Sequence, residues 1–140
     1  MNYKIKSFIQ NITSKLPSKI SYKTYFLIQN KFGNLRTINP YSTLLRGYKI
    51  IDIIKNIEGN YKSKKFIEIG TGRAPILPLS LYLHDAGEIT TIDINPYLTH
   101  YVWEQSILWI SKNKEFLKTH LPYINNEKLD FISEQKIKKN

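Results

Sequence analysis

Between Phe66 and Asp93 the chain reads as an apolar run, a glycine turn, a helix and a second apolar run. Phe66, Ile67 and Ile69 sit between Lys64-Lys65 and Gly70, the composition of a strand buried on both faces of a parallel sheet. Gly70 and Gly72 let the chain turn sharply and bring bare backbone against a ligand, because neither carries a Cβ. Pro75 and Pro78 suit the first turn of a helix, where a missing N–H has no partner to lose. That helix is predicted from Pro75 to Ala86, with Gly87 as its stop, and packs on the sheet through Leu77 and Leu81. Glu88 to Ile94 resumes a strand pattern rich in Ile and Thr. This alternation constrains the fold to α/β with a parallel sheet. Each strand also ends on an acid, Glu68 and Asp93, and ligands of such sheets sit outside the carboxyl ends of the strands.

The two acids narrow the ligand. Asp93 follows the glycine turn by about 20 residues, where a carboxylate can accept hydrogen bonds from a ribose diol. A dinucleotide fingerprint wants a third glycine where Pro75 stands and an apolar residue in place of Glu68. A carboxylate beside the turn repels a pyrophosphate and suits a cation. S-adenosylmethionine, with a sulfonium, an ammonium and no phosphate, meets that condition. ATP does not, and no GxxxxGK[ST] run is present. Plainer readings exist: an ordinary strand-to-helix turn, a lysine-paired Glu68, or Asp93 as a helix cap. Asn95-Pro96 fills that capping role, with Pro96 at the first helical position, and leaves Asp93 to the ligand.

Glu68-Ile69-Gly70-Thr71-Gly72-Arg73-Ala74 resembles motif I of class I S-adenosylmethionine-dependent methyltransferases, with Ala74 where the family usually has its third glycine. Thr91-Ile92-Asp93-Ile94-Asn95-Pro96 is similar to the family's second motif. The resemblance covers about residues 42–120. It implies a Rossmann-like three-layer sandwich and a cofactor site formed by Glu68, Gly70, Thr71, Gly72, Arg73, Ala74, Asp93 and Ile94. In that site Gly70 and Gly72 lie along the methionine part, Glu68 organises its amino end, Asp93 takes the ribose and Ile94 lies against the adenine. Tyr41 and Arg46 would be wall residues by the same analogy, although packing and solvation are their plainer roles.

The resembling fold has seven strands. Here two are predicted, with a third opening at Leu129-Asp130-Phe131-Ile132, so the sheet is expected to be truncated after the second or third strand. The family's acceptor-facing Asp/Asn-Pro-Pro-aromatic motif does not occur, and no catalytic base is assigned. The chain is accordingly expected to be the donor-binding half of a methyltransferase, its acceptor a small molecule or saccharide sooner than nucleic acid. The alternatives are a non-catalytic cofactor-binding or scaffold subunit completed by a partner chain, and a nucleotide-sugar or NAD-type enzyme.

Residues 1–41 are expected to form a helical extension and 42–140 the partial cofactor-binding domain. Ile5, Phe8, Ile9, Ile12 and Leu16 make a helical stripe with Lys4, Lys6 and Lys15 on other faces. Its expected role is packing on its own domain; contact with a membrane surface is the alternative. Residues 25–28 suggest a short helix and Gly33-Asn34 a turn. Helices are predicted from Ser42 to Gly59, through Leu44, Leu45, Tyr48, Ile51, Ile54 and Ile57, and from Pro96 to His120. Without cysteine there are neither disulfides nor thiolate metal sites, and His84, His100 and His120 lack ligand spacing. The net charge of +10 rests mainly on lysine, which shares A/T-rich codons with the abundant Ile and Asn, and no arginine stripe marks a nucleic-acid interface. No apolar stretch approaches a membrane span and no secretory signal pattern is present, so a cytoplasmic location is expected.

Overall fold

The computed structural model describes residues 39–94 and 98–134 continuously, and nine residues scattered between Ser7 and Ile28. The chain divides into two units, Met1–Ile38 and Asn39–Asn140. In the first, Ser7, Phe8, Asn11 and Ile12 are helical, as are Ile20, Thr24 and Ile28, and Lys15 is in a turn; the other residues of the helix expected over 2–16, and the turn at Gly33-Asn34, lie outside the described residues.

The second unit is mixed α/β. Its elements run α1 (Tyr41–Glu58), β1 (Lys65–Ile69), α2 (Ile76–Leu83), β2 (Glu88–Ile92), α3 (His100–Lys112), α4 (Lys114–His120) and α5 (Asn126–Glu134). β1 and β2 pair in parallel, Lys65 opposite Glu88 and Ile69 opposite Ile92. Among the described residues these two strands are the whole sheet.

α1 matches its apolar period. Leu44 and Ile51 are fully buried, and Gly59 ends the helix with a left-handed φ of 73°. It crosses α2 closely. A Cβ on Gly47 would fall 2.2 Å from the Ser80 hydroxyl and 2.5 Å from the Ser80 Cβ. The buried Ser80 hydroxyl donates to the Leu44 carbonyl at 2.8 Å, so the crossing satisfies its own polar group.

Among the described residues one sheet face is covered and the other is bare. Phe66 and Ile89 pack against Ile51, Tyr61, Leu81 and Ala86 from α1, α2 and their connections. A second cluster holds the helices together through Leu44, Ile76, Leu83, Ile110, Leu117 and Leu129. Each such buried Leu or Ile contributes roughly 1.5–3 kcal/mol. On the opposite face Ile67 and Ile69 are 72% and 84% exposed and Ile92 is 54% exposed. The expectation of a strand buried on both faces is thus corrected. Alternation sends Phe66 and Glu68 inward and Ile67 and Ile69 outward, and no described residue forms a layer there.

Three further expectations give way. The predicted third strand is the helix α5, with Leu129 and Ile132 buried three residues apart and Phe131 exposed. The Asn125 carboxamide oxygen accepts from the Lys128 N–H at 3.0 Å, capping that helix. The long helix from Pro96 to His120 is two helices broken at Asn113, whose side-chain amide donates to the Trp109 carbonyl at 2.8 Å. The first of them starts at His100 and is capped by Thr99, which accepts from the Val102 N–H at 3.3 Å; Asn95-Pro96, expected to cap a helix, lie outside the described residues. α2 ends at Leu83, short of Ala86, with His84 at its cap.

Candidate functional site

The glycine turn leaves β1 at its carboxyl end and reaches α2 in six residues, Gly70 to Pro75. Gly70 and Gly72 both have left-handed backbone, φ 83° and 70°, which an L side chain resists. A Cβ on either would meet nothing within 4 Å, so backbone conformation and not crowding selects glycine here. The Gly70 N–H donates to the Ile92 carbonyl at 2.7 Å, continuing the β1–β2 ladder into the turn. The Gly72 N–H donates to Asp93 Oδ2 at 2.6 Å. The second acid is therefore tied to the backbone of the turn, and charge assists the bond.

Glu68 and Thr71 supply the polar remainder. Glu68 lies on the face of β1 turned toward the helices and is only partly exposed. Its Oε2 and the Thr71 Oγ1 are both buried and without a hydrogen-bond partner. An orphaned buried polar atom is costly, more so on a carboxylate. The pair flanks Gly70 and leaves one acceptor oxygen and one hydroxyl to which a polar partner can bind.

Arg73 follows in the turn. Burial pulls its guanidinium below the ordinary arginine value, and the field of Tyr101 opposes that shift. Tyr101 stands in the first turn of α3 and is 65% exposed. The sequence alone assigns Tyr101 no role at the site. An aromatic residue one turn into the helix after β2 was the available signal. Ala74 packs against the helical core. Ile94 is 97% exposed at the edge of the site.

Glu68, Gly70, Thr71, Gly72 and Asp93 thus lie together at one end of the strand pair. Tyr41 and Arg46 keep their plainer roles. Tyr41 packs edge-on against Phe116 with centroids 5.1 Å apart, and Arg46 donates to the Thr43 hydroxyl at 2.8 Å. His100 pairs with Glu104, His120 stacks on Phe116, and His84 is buried. Among the described residues no group of His, Asp and Glu could hold a metal, and no helix is long and apolar enough to cross a membrane. No family model, curated protein or solved structure matches the chain.

Proposed function

We propose that this chain binds S-adenosylmethionine at the carboxyl end of β1 and β2 and serves methyl transfer as the donor-binding part of a methyltransferase. The observation that carries the reading is the orphaned pair beside Gly70: Glu68 Oε2 and Thr71 Oγ1. A carboxylate oxygen held out of water favours a cationic donor and disfavours a phosphate. The turn's backbone points the same way, since the Gly72 N–H already serves Asp93 and does not join an anion cradle. The residues fit the cofactor's parts. Glu68 would take the ammonium, Thr71 the adjoining polar atoms, the bare Gly70 and Gly72 the close approach, and Asp93 the ribose hydroxyls.

When bound, S-adenosylmethionine supplies an electrophilic methyl group on a sulfonium. Methyl transfer then asks the protein mainly for alignment of donor and acceptor. The turn is suited to that task because Asp93 and the β1–β2 ladder fix it from two sides. The acceptor is proposed to be a small molecule or saccharide. Titration calorimetry of the full chain with S-adenosylhomocysteine tests the reading. Binding should weaken by about 1–3 kcal/mol on Asp93→Ala, the scale of a lost charged hydrogen bond. Equal affinity for wild type and Glu68→Gln, or tighter binding of NAD, would remove its basis.

The bare sheet face favours a second reading, a cofactor-binding scaffold completed by a partner chain. Parallel sheets are normally covered on both faces. Under this reading the isolated chain binds S-adenosylhomocysteine, yet transfers no methyl group until the partner is added.

A further inference from the structure

The charge of this protein is not spread along it. All 11 acidic residues lie between Asp52 and Glu134, and residues 39–134 hold an equal number of lysines and arginines. Residues 39–134 are therefore neutral in sum. The whole excess of +10 falls on the two ends: seven basic residues and no acid in 1–38, and three basic residues in 135–140. A genome rich in A and T enriches lysine, but it does not clear Asp and Glu from one segment, so codon composition leaves this asymmetry unexplained.

The N-terminal segment pairs its charge with an ordered apolar pattern. Ile5, Phe8, Ile9, Ile12 and Leu16 recur at helical spacing, with Lys4, Lys6 and Lys15 among them. The described residues here carry the pattern on an exposed surface. Phe8 and Ile12, one helical turn apart, are 65% and 51% exposed, Ile20 is 55% exposed, and Lys15 is exposed as well.

We propose that residues 1–38 dock the protein on an anionic lipid surface, Phe8 and Ile12 entering the boundary between headgroups and acyl chains and the lysines lying among acidic headgroups. Exposed apolar residues one helical turn apart, in a segment whose sequence carries lysine and no acid to oppose the surface charge, are what such a surface binds. Nucleic acid fits less well. Phosphate contacts need no apolar stripe, and just one of the seven basic residues, Arg36, is an arginine. The lipid surface does not depend on the methyl-donor reading, and each can fail without the other.

The test is flotation of the full chain with vesicles of phosphatidylcholine alone and with about one-third phosphatidylserine, at about 0.15 M salt. The chain should float with the anionic vesicles only and be released by high salt. Replacing Lys4, Lys6 and Lys15 by Gln should lower partitioning roughly tenfold to a hundredfold, the scale of three lysines near such a surface. Phe8→Ser should lower it too while leaving the far-ultraviolet circular dichroism and the S-adenosylhomocysteine affinity unchanged. Equal flotation with neutral vesicles, no flotation at all, or anionic binding indifferent to both variants would overturn the proposal. So would DNA or RNA that competes the chain off the vesicles and binds Phe8→Ser as tightly as wild type.

Discussion

Gly72 and His84 show how much a single residue decides in this chain. Gly72 sits in open space, yet its φ of 70° makes any other residue strained. Gly72→Ala should therefore cost about 1–2 kcal/mol in chemical denaturation and weaken the Asp93 bond with it, despite the room for a methyl group. His84 is fully buried at the end of α2, its Nδ1 donating to the Ser80 carbonyl at 2.7 Å. Burial lowers its proton affinity, although the Ser80 and Pro122 carbonyls and Asp85 act the other way. A histidine that binds its proton less tightly folded than unfolded stabilises fully above the ordinary value of about 6.5 and loses that contribution as pH falls. Asp85 acts at lower pH, its contribution intact above the ordinary aspartate value of about 3.9 and lost as pH falls below it. Burial alone would raise its carboxyl, but hydrogen bonds from Lys128 and Asn125 hold it below the usual range. Melting temperature should fall between pH 7 and pH 5, and His84→Phe should flatten that part of the profile. An unchanged slope in the variant would show that His84 does not carry the effect.

At the scale of elements, the α1–α2 crossing is the tightest joint in the fold. Gly47→Ala places a methyl group inside van der Waals contact of both Ser80 side-chain atoms. It should destabilise by about 1–3 kcal/mol, the usual cost of overpacking. Ser80→Ala would not relieve it, because the Ser80 Cβ itself stands 2.5 Å from the added group; Gly47→Ala with Ser80→Gly should recover part of the loss. Urea denaturation of the three variants checks this order. The crossing was not visible in the sequence, which carries no mark that Gly47 meets Ser80. β1, the glycine turn, α2 and β2 were legible because each carried its own marker: a short apolar run, two glycines, two prolines, a stretch rich in Ile and Thr. α5 was misread because Leu129 to Ile132 is too short for periodicity to separate strand from helix, and the deciding signal is the Asn125 cap. The break at Asn113 lacks glycine or proline and rests on one side chain competing for a helical carbonyl. At the site, the acids and glycines were legible. The bond between Gly72 and Asp93 was not, since it depends on how the two strand ends are registered.

The molecule as a whole divides its labour by charge and by face. Residues 39–134, neutral in sum, carry the candidate cofactor site, and the excess of basic residues lies outside them. The bare sheet face adds a different liability. Among the described residues each strand has a single strand neighbour, and Ile67, Ile69 and Ile92 stand exposed on one face. Ile69→Thr should leave the melting temperature within about 1 °C, since an 84% exposed side chain has little packing to lose. The same geometry bears on what happens when chains meet one another. A two-stranded ribbon with exposed isoleucines is a template for strand addition between molecules wherever its edges are open. The lysine-rich ends of this protein, by repelling their counterparts on neighbouring copies, would act as gatekeepers against that association. Raising the salt concentration should then shorten the lag before thioflavin-positive aggregates form.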